Sequence, residues 1–400
     1  MKLRQVEPVS ADDARNILLE MGVSSGGARL MAEKALSMNM LIKDVSCAEA
    51  NVLKQEMLIL GGDAAIHRDV ITGAAEPSDV LLLANRKQIR KLAVRLREQC
   101  FSLPEIGRGL RERLDRGCRE FRFRNGKISF DSATAVMGIV NVTPDSFSDG
   151  GQFSDAETAA AHALSLEQEG ADMVDIGGES SRPGAAAVTV DEELRRIMPV
   201  FERLQGNIGI PVSVDTQHAE VARRALEQGA SVINDITGCA DPEMAEAAAS
   251  FKAGVIIMHM QGEPGSMQND PRYDNVVEDI LSFFEKRAAQ AVKRGVGEHS
   301  IMVDPGIGFG KTVAHNLEIL HHISEFSALG FPVLVGASRK SFIGKTLGLD
   351  VHERLPADIA VTSFCSCRGA DMVRVHDVMQ NRAACNMIRL LVHPCEGEER

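Results

Sequence analysis

Tryptophan is absent from this chain of 400 residues, and Tyr273 is its single tyrosine. So few broad aromatics argue against an interface or base-stacking platform built on them. No run of about 18 apolar residues occurs, so nothing reads as a membrane-spanning helix. The opening Met1-Lys2-Leu3-Arg4-Gln5-Val6-Glu7-Pro8 lacks the apolar stretch of a secretory leader. Cysteines fall at 47, 100, 118, 239, 365, 367, 385 and 395, without one Cys-x-x-Cys pair. Cys365 and Cys367 are too close for a structural zinc spacing. All eight read as reduced thiols of a cytoplasmic protein.

What is present is ordinary for a folded protein: 44% hydrophobic and 25% charged residues. That hydrophobic share excludes a mostly disordered chain, and the length allows two domains. The net charge of −12 is uneven, with 22 basic and 18 acidic residues through 133 against 22 and 38 after it. This shift places a boundary near 130, giving an N-terminal domain over 1–130 and a second domain over 131–400. Residues 86–124 hold 13 Lys/Arg against 5 acidic residues. With few aromatics and no nucleic-acid motif, they read as a solvated helical face rather than a nucleic-acid surface.

The second part repeats one pattern eight times: a short β-branched run ending in a polar or small residue, then a helix-like stretch. The runs begin at Val136, Met173, Val212, Val232, Val255, Ile301, Val333 and Met372. Continuous apolar runs fit strands buried on both faces of a parallel sheet. The helical stretches Asp155–Glu169 and Ala219–Gln228 each stop at a glycine, Gly170 and Gly229. Eight β-then-α units predict a (β/α)₈ TIM barrel. An open doubly wound sheet is the alternative, but no G-x-G-x-x-G follows the first strand. Residues 1–130 are expected to form a small α/β domain. Helices are expected over Ala11–Met21, Gly26–Met40 and Lys87–Gln99, with a strand over Val80–Ala84 and Asn51–Leu60 open to either. Phe121–Phe130, centred on Asn125-Gly126, reads as a hairpin of the kind that plugs a barrel's N-terminal face.

Asn141, Asp175, Asp215, Asn234, His259, Asp304, Ser338 and His376 all fall at or near predicted strand C-termini. In a barrel these ends converge on one bowl, where active sites are found. The following loops bring Arg182, Lys311, Arg339, Lys340, Arg374 and His376 to the same end, a cationic rim suited to a phosphorylated substrate. Asp215, Asn234, Asp304 and Lys340 would surround a flat heterocycle with both donors and acceptors.

Eight ordered stretches resemble the motifs of dihydropteroate synthase: MGIVNVTPDSFSDGG from Met137, DIGGESSRPGA from Asp175, SVDT from Ser213 and INDIT from Ile233. MHMQG from Met258, DPGIGFGK from Asp304, SRKSFIG from Ser338 and RVHDV from Arg374 complete the set. The resemblance covers 135–392 and does not reach 1–130. It implies a TIM barrel, normally a homodimer, that condenses a pterin pyrophosphate with p-aminobenzoate in folate synthesis and uses Mg²⁺. By the same resemblance Lys340, Asp149 and Arg374 would be catalytic. Asp215, Asn234, Asp304, Lys340, Asp175 and Met258 would hold the pterin. Asn141, Arg182, Arg374 and His376 would hold the pyrophosphate, with Asn141 toward the metal. Phe147, Ser181, Arg182, Pro183, Phe309 and Ser338 would shape the p-aminobenzoate site. One departure is visible: the second loop more usually reads Thr-Arg-Pro, and here it is Ser181-Arg182-Pro183.

The competing reading is a pterin-binding methyltransferase barrel that moves a methyl group from a reduced folate to a corrinoid. It shares the Asp/Asn pocket but has no use for a pyrophosphate site, so Arg182-Pro183, Ser338-Arg339-Lys340 and Arg374-Val375-His376 speak against it. No Ser/His/Asp set is evident, and none is required when a good leaving group is neutralised and the partners are held in position.

Overall fold

The computed structural model describes residues 3–75, 77–115, 119–130, 133–142, 152–179, 188–263 and 265–392. The chain forms two compact units, Met1–Gly117 together with Leu390–Arg400, and Cys118–Arg389.

The first unit is α/β. Helices α1 (Ala11–Glu20) and α2 (Ser25–Ala35) lead into β1 (Met40–Val45), α3 (Cys47–Ile59), β2 (Asp63–Ile66), β3 (Ser78–Leu83), α4 (Arg86–Arg95) and α5 (Leu103–Asp115). The strands form an antiparallel sheet in the order β1-β3-β2. Along β3, Ser78, Val80 and Leu82 point inward while Asp79, Leu81 and Leu83 point out. Val80 and Leu82 pack with Leu53, Met57, Ile89 and Leu92 from α3 and α4. Helix starts are chemically marked: Ser46 with Glu49 and Asn85 with Gln88 form reciprocal capping boxes. Cations of the basic stretch are engaged locally. Arg90 pairs with Glu33 at 2.6 Å, Arg95 pairs with Glu56, and Arg86 donates to the Leu114 carbonyl at 2.7 Å.

The second unit is the eight-stranded parallel barrel, entered through a hairpin of β4 (Glu120–Phe123) and β5 (Gly126–Ser129). Its strands are β6 (Ala135–Asn141), β7 (Met173–Gly177), β8 (Val212–Asp215), β9 (Val232–Asp235), β10 (Gly254–Met258), β11 (Ile301–Asp304), β12 (Leu334–Val335) and β13 (Met372–Val375). They pair in the order β11-β10-β9-β8-β7-β6-β13-β12, and a parallel bridge from Val303 to Val333 closes the ring. Intervening helices include α6 (Gln152–Gln168), α7 (Val190–Leu204), α8 (Ala219–Glu227), α9 (Pro242–Phe251) and α10 (Val276–Lys293). They continue with α11 (Val313–His321), α12 (Ile323–Phe326), α13 (Ser341–Leu347), α14 (Leu355–Cys367) and α15 (Val378–Val392).

Outward strand residues such as Val136, Val174, Val214 and Ile233 pack on the helices. Inward residues at the strand starts, among them Met137, Met173, Ile256, Met302 and Met372, close over Phe121 from the hairpin. A Cβ at Gly254 would lie 2.5 Å from the Phe121 ring, so glycine is needed for this plug. The hairpin thus falls with the barrel unit, and we propose a dividing line before Cys118 rather than after residue 130. Among the described residues, no helix is long and apolar enough to cross a membrane.

Candidate active site

Regular strands deliver polar side chains to one end of the barrel. Asp215, Asn234, Met258, Asp304, Phe309, Lys340 and Arg374 line a single pocket, joined by Ile236, Gly306, Ile307 and Gly336. Asp215 and Asp304 close β8 and β11, and Met258 closes β10. Lys340 directly precedes α13.

The pocket floor is a charged lattice. Arg374 donates through Nε to Asp175 Oδ2 at 2.6 Å and through Nη2 to Asp215 Oδ2 at 2.7 Å. Asn234 Nδ2 donates to the same Asp175 oxygen at 2.9 Å. Asp304 Oδ1 accepts from the Gly306 amide at 2.7 Å. The Lys340 ammonium stands 3.9 Å from the centre of the Phe309 ring, a cation–π contact. Burial pushes the Asp215 carboxyl up; Arg374 opposes this and Asp175 adds to it. Burial likewise raises Asp304, against the Gly306 amide and Lys340. Lys340 is pushed down to about 8, first by burial and then by Arg374. Burial also works against the Arg374 charge, but Asp175 and Asp215 together hold its pKa above the ordinary value.

Three buried polar atoms here have no hydrogen-bond partner: Asp175 Oδ1, Ser213 Oγ and Asn234 Oδ1. Such atoms are costly in a finished core, so a cluster of them beside a pocket marks a place where a ligand completes the pairing.

Other expected residues lie elsewhere. Asn141 ends β6, half-buried and in register with Gly177 of β7. His376 Nδ1 and Ser338 Oγ are 3.1 Å apart, and Ser338 also reaches Asp358 at 3.4 Å. Asp149, Phe147, Ser181, Arg182 and Pro183 lie outside the described residues.

The expected cationic rim needs correction. Lys311 is 3% exposed and bonds to two backbone carbonyls and His259, because the chain turns inward after Phe309. Arg339 pairs with Asp377 at 2.8 Å, and Arg374 is held between two carboxylates.

Sequence reading also missed a neighbouring cluster. Fully buried Glu193 bonds His218 at 2.7 Å, and Glu179 accepts from Val188 N at 3.1 Å and Gln217 Nε2 at 2.9 Å. The Glu in each second-loop and helix-start motif was the available signal, but nothing in the spacing joins them.

Residues 137–376 match the family model described as pterin binding enzyme. The chain belongs to the pterin binding enzyme family. This member is 39% identical over 388 residues to a probable bifunctional folylpolyglutamate synthase/dihydropteroate synthase of Haloferax volcanii. That match takes in 94% of this chain and 46% of the relative, so the chain spans just under half of that protein. Since so little of this chain is left out, the likeness extends into its N-terminal unit. A dihydropteroate synthase of Escherichia coli is 43% identical over 263 residues, covering 66% of this chain and 93% of its own length. Among solved structures, a dihydropteroate synthase of Xanthomonas albilineans with 4-aminobenzoic acid superposes with a TM-score of 0.64 at 41% identity. It covers 70% of this chain and 99% of its own.

Proposed function

We propose that this chain is a dihydropteroate synthase. It joins 6-hydroxymethyl-7,8-dihydropterin pyrophosphate to p-aminobenzoate, releasing pyrophosphate and 7,8-dihydropteroate. The observation that carries the reading is the set of unpartnered buried atoms, Asp175 Oδ1, Asn234 Oδ1 and Ser213 Oγ, beside Asp215, Asp304 and Lys340. A pterin edge offers an amino group and a ring N–H in parallel to a carboxylate and further acceptors to Lys340. It supplies the mixed donors and acceptors this pocket wants. The likeness to a synthase solved with 4-aminobenzoic acid supports the choice of acceptor.

In the reaction, the C–O bond between the pterin methylene and the pyrophosphate breaks, and its electron pair leaves with pyrophosphate. The amine nitrogen of p-aminobenzoate forms the new C–N bond and loses one proton. Asp215, Asn234 and Asp304 orient the pterin, with Asp175 and Arg374 fixing Asp215 and Asn234 from below. Lys340 supports both the pterin edge and the pocket wall at Phe309. Such positioning supplies much of the barrier lowering when the nucleophile and leaving group are already competent.

Mg²⁺ suits this donor set: it keeps several waters and binds through one or two protein oxygens plus substrate phosphates, and Asn141 offers an amide oxygen at the strand end. Bound there, it would neutralise charge on the departing pyrophosphate, with His376 and the Nη1 end of Arg374, which neither Asp175 nor Asp215 takes up, as further pyrophosphate contacts. Phe147, Ser181, Arg182, Pro183, Phe309 and Ser338 complete the proposed aryl site, and Asp149 the catalytic set. Homodimeric assembly belongs to the same proposal.

The test is incubation with the pterin pyrophosphate, Mg²⁺ and a panel of aryl amines, reading pyrophosphate release and product mass. One pyrophosphate per pterin–amine adduct is expected. Methyl transfer from a methyl-folate to a corrinoid, with no pyrophosphate released, would overturn the reading.

A further inference from the structure

The loop after β11 makes a wall of the pocket and then buries a lysine. Gly306 has φ +67, and a Cβ there would fall 2.0 Å from the His259 carbonyl oxygen. Gly310 has φ +59, and its Cβ would fall 2.3 Å from the Gln261 carbonyl oxygen. The backbone therefore lies directly on the segment that follows β10, where no side chain fits. Phe309 projects between these glycines toward Lys340. Two residues on, the Lys311 ammonium meets three acceptors: the Phe309 carbonyl at 2.9 Å, His259 Nδ1 at 3.0 Å and the His259 carbonyl at 3.3 Å. An ammonium has three hydrogens, so the set is complete. His259 is itself fixed, since its amide donates to the Asp304 carbonyl at 2.9 Å and its ring packs edge-on against Phe283.

We propose that Lys311 is a positioning residue that holds Phe309 in place and thereby sets the shape of the aryl-amine side of the pocket. It does so by fastening the Phe309 backbone to His259, just past the pocket-lining Met258. The proposal rests on the reading of this pocket as a dihydropteroate synthase site. A lysine serving the anionic substrate directly would stand open to the pocket. This one is buried among protein acceptors, and burial pushes its pKa down to about 7. His259 is pushed down to about 3, by burial and then by Lys311, which leaves it neutral and its Nδ1 able to accept.

Lys311→Met keeps an unbranched side chain, one atom shorter, and removes all three donors. In protein labelled with 4-fluorophenylalanine, the Phe309 ¹⁹F resonance, assigned with Phe309→Leu, is expected to shift or broaden in this variant. The Phe121 resonance at the opposite end of the barrel is expected to stay put. In steady-state assays the KM for p-aminobenzoate is expected to rise about tenfold, with binding of the pterin pyrophosphate within about twofold of wild type. In a Phe309→Leu background, Lys311→Met is expected to add less than about twofold, since coupled residues are non-additive. An unmoved Phe309 resonance, or effects that multiply in the double variant, would overturn the proposal. So would a loss of pterin binding in step with the KM change, which would make Lys311 a general support of the barrel end. If Lys311→Met does not accumulate as folded protein, Lys311→Gln, whose shorter side chain has two donor hydrogens and cannot meet all three acceptors, carries the same comparison with a smaller expected shift. A wild type that never turns over aryl amines defeats the functional reading alone, because the ¹⁹F result still decides the role of Lys311.

Discussion

Buried carboxylates in the two units are treated in opposite ways. In the N-terminal unit, Glu49 accepts from Ser46 and from both the amide and hydroxyl of Ser102. These bonds outweigh its burial and hold the carboxyl down at about 2. Glu56 is likewise met by Arg95 and Gln99. At the C-terminal end of the barrel, Asp215 and Asp304 are raised by burial, and neighbouring polar atoms lack partners altogether. A carboxylate saturated by its own chain is a structural device. One left short of partners beside a pocket is reserved for something that arrives later, and its cost to stability is the mark of function.

The sharpest way to break that comparison is Asp215→Ala. Asp215 would accept two hydrogen bonds from the pterin, and bonds to a charged group are worth about 1.5–3 kcal/mol each. Turnover is expected to fall at least a hundredfold, while Arg374 keeps Asp175 as its partner and the barrel stays folded. Circular dichroism and pterin pyrophosphate calorimetry on the same sample check both halves. Undiminished pterin binding would remove Asp215 from the site.

The two ends of the barrel differ in the same sense. Phe121 is fully buried beneath the strand starts. Phe121→Ala is expected to cost about 3–5 kcal/mol of stability, as large aromatic truncations in cores do. Its KM values are expected to remain near wild type, because the plug lies at the opposite end from the pocket. Denaturant midpoints and steady-state kinetics read the two quantities. A variant that lost activity without losing stability would reverse the assignment of the ends. A chain starting at Cys118 keeps this plug, and one starting at 131 loses it.

The eight barrel strands were legible because burial on both faces leaves unbroken β-branched runs, and their polar ends announced the pocket. The N-terminal sheet was harder to read. β1 carries Lys43 and Asp44, with Asp44 at φ 55 and an irregular register between Ile42 and Val45. β2 is four residues long. Neither gives a clean alternation, so the stretch through Met40 looked helical. In the site, Asp215, Asn234 and Asp304 came together as their strand ends implied, and Met258, Phe309, Lys340 and Arg374 line the same pocket. Lys311 did not, since a lysine after a glycine-rich run looks like a surface cation. Its burial depends on His259, which follows β10 and is far away in sequence.

Lys340→Ala sharpens the contrast at a single charge. Loss of one charge-assisted bond and of the contact over Phe309 is expected to lower turnover roughly ten- to hundredfold, corresponding to about 1.5–3 kcal/mol. With Lys340 pushed down to about 8, wild-type turnover is expected to decline as pH rises through that region. Lys340→Arg keeps its charge and is expected to show no such decline. Coincident pH profiles for the two proteins would detach the limb from Lys340.

Glu49→Gln tests the other side of the comparison and has the smallest expected effect. The glutamine keeps one oxygen but turns a donor toward groups that are already donating. This is expected to destabilise the N-terminal unit by about 1–3 kcal/mol. The folded carboxyl titrates at about 2, below its ordinary 4.5. Its contribution is therefore full above about pH 4.5 and disappears as pH falls toward 2. Asp304 has the opposite sign. Raised in the folded state, it disfavours folding above its folded pKa, and acidification toward the ordinary carboxylate range relieves that cost. Amide exchange of α3, compared between wild type and Glu49→Gln at matched pH, isolates the N-terminal effect from the barrel. A protection difference that is constant near neutrality and closes below pH 4.5 is the expected result. A difference that persisted undiminished near pH 2 would mean that shape, not charge, holds Glu49 in place, and the contrast between saturated and waiting carboxylates would lose its clearest case.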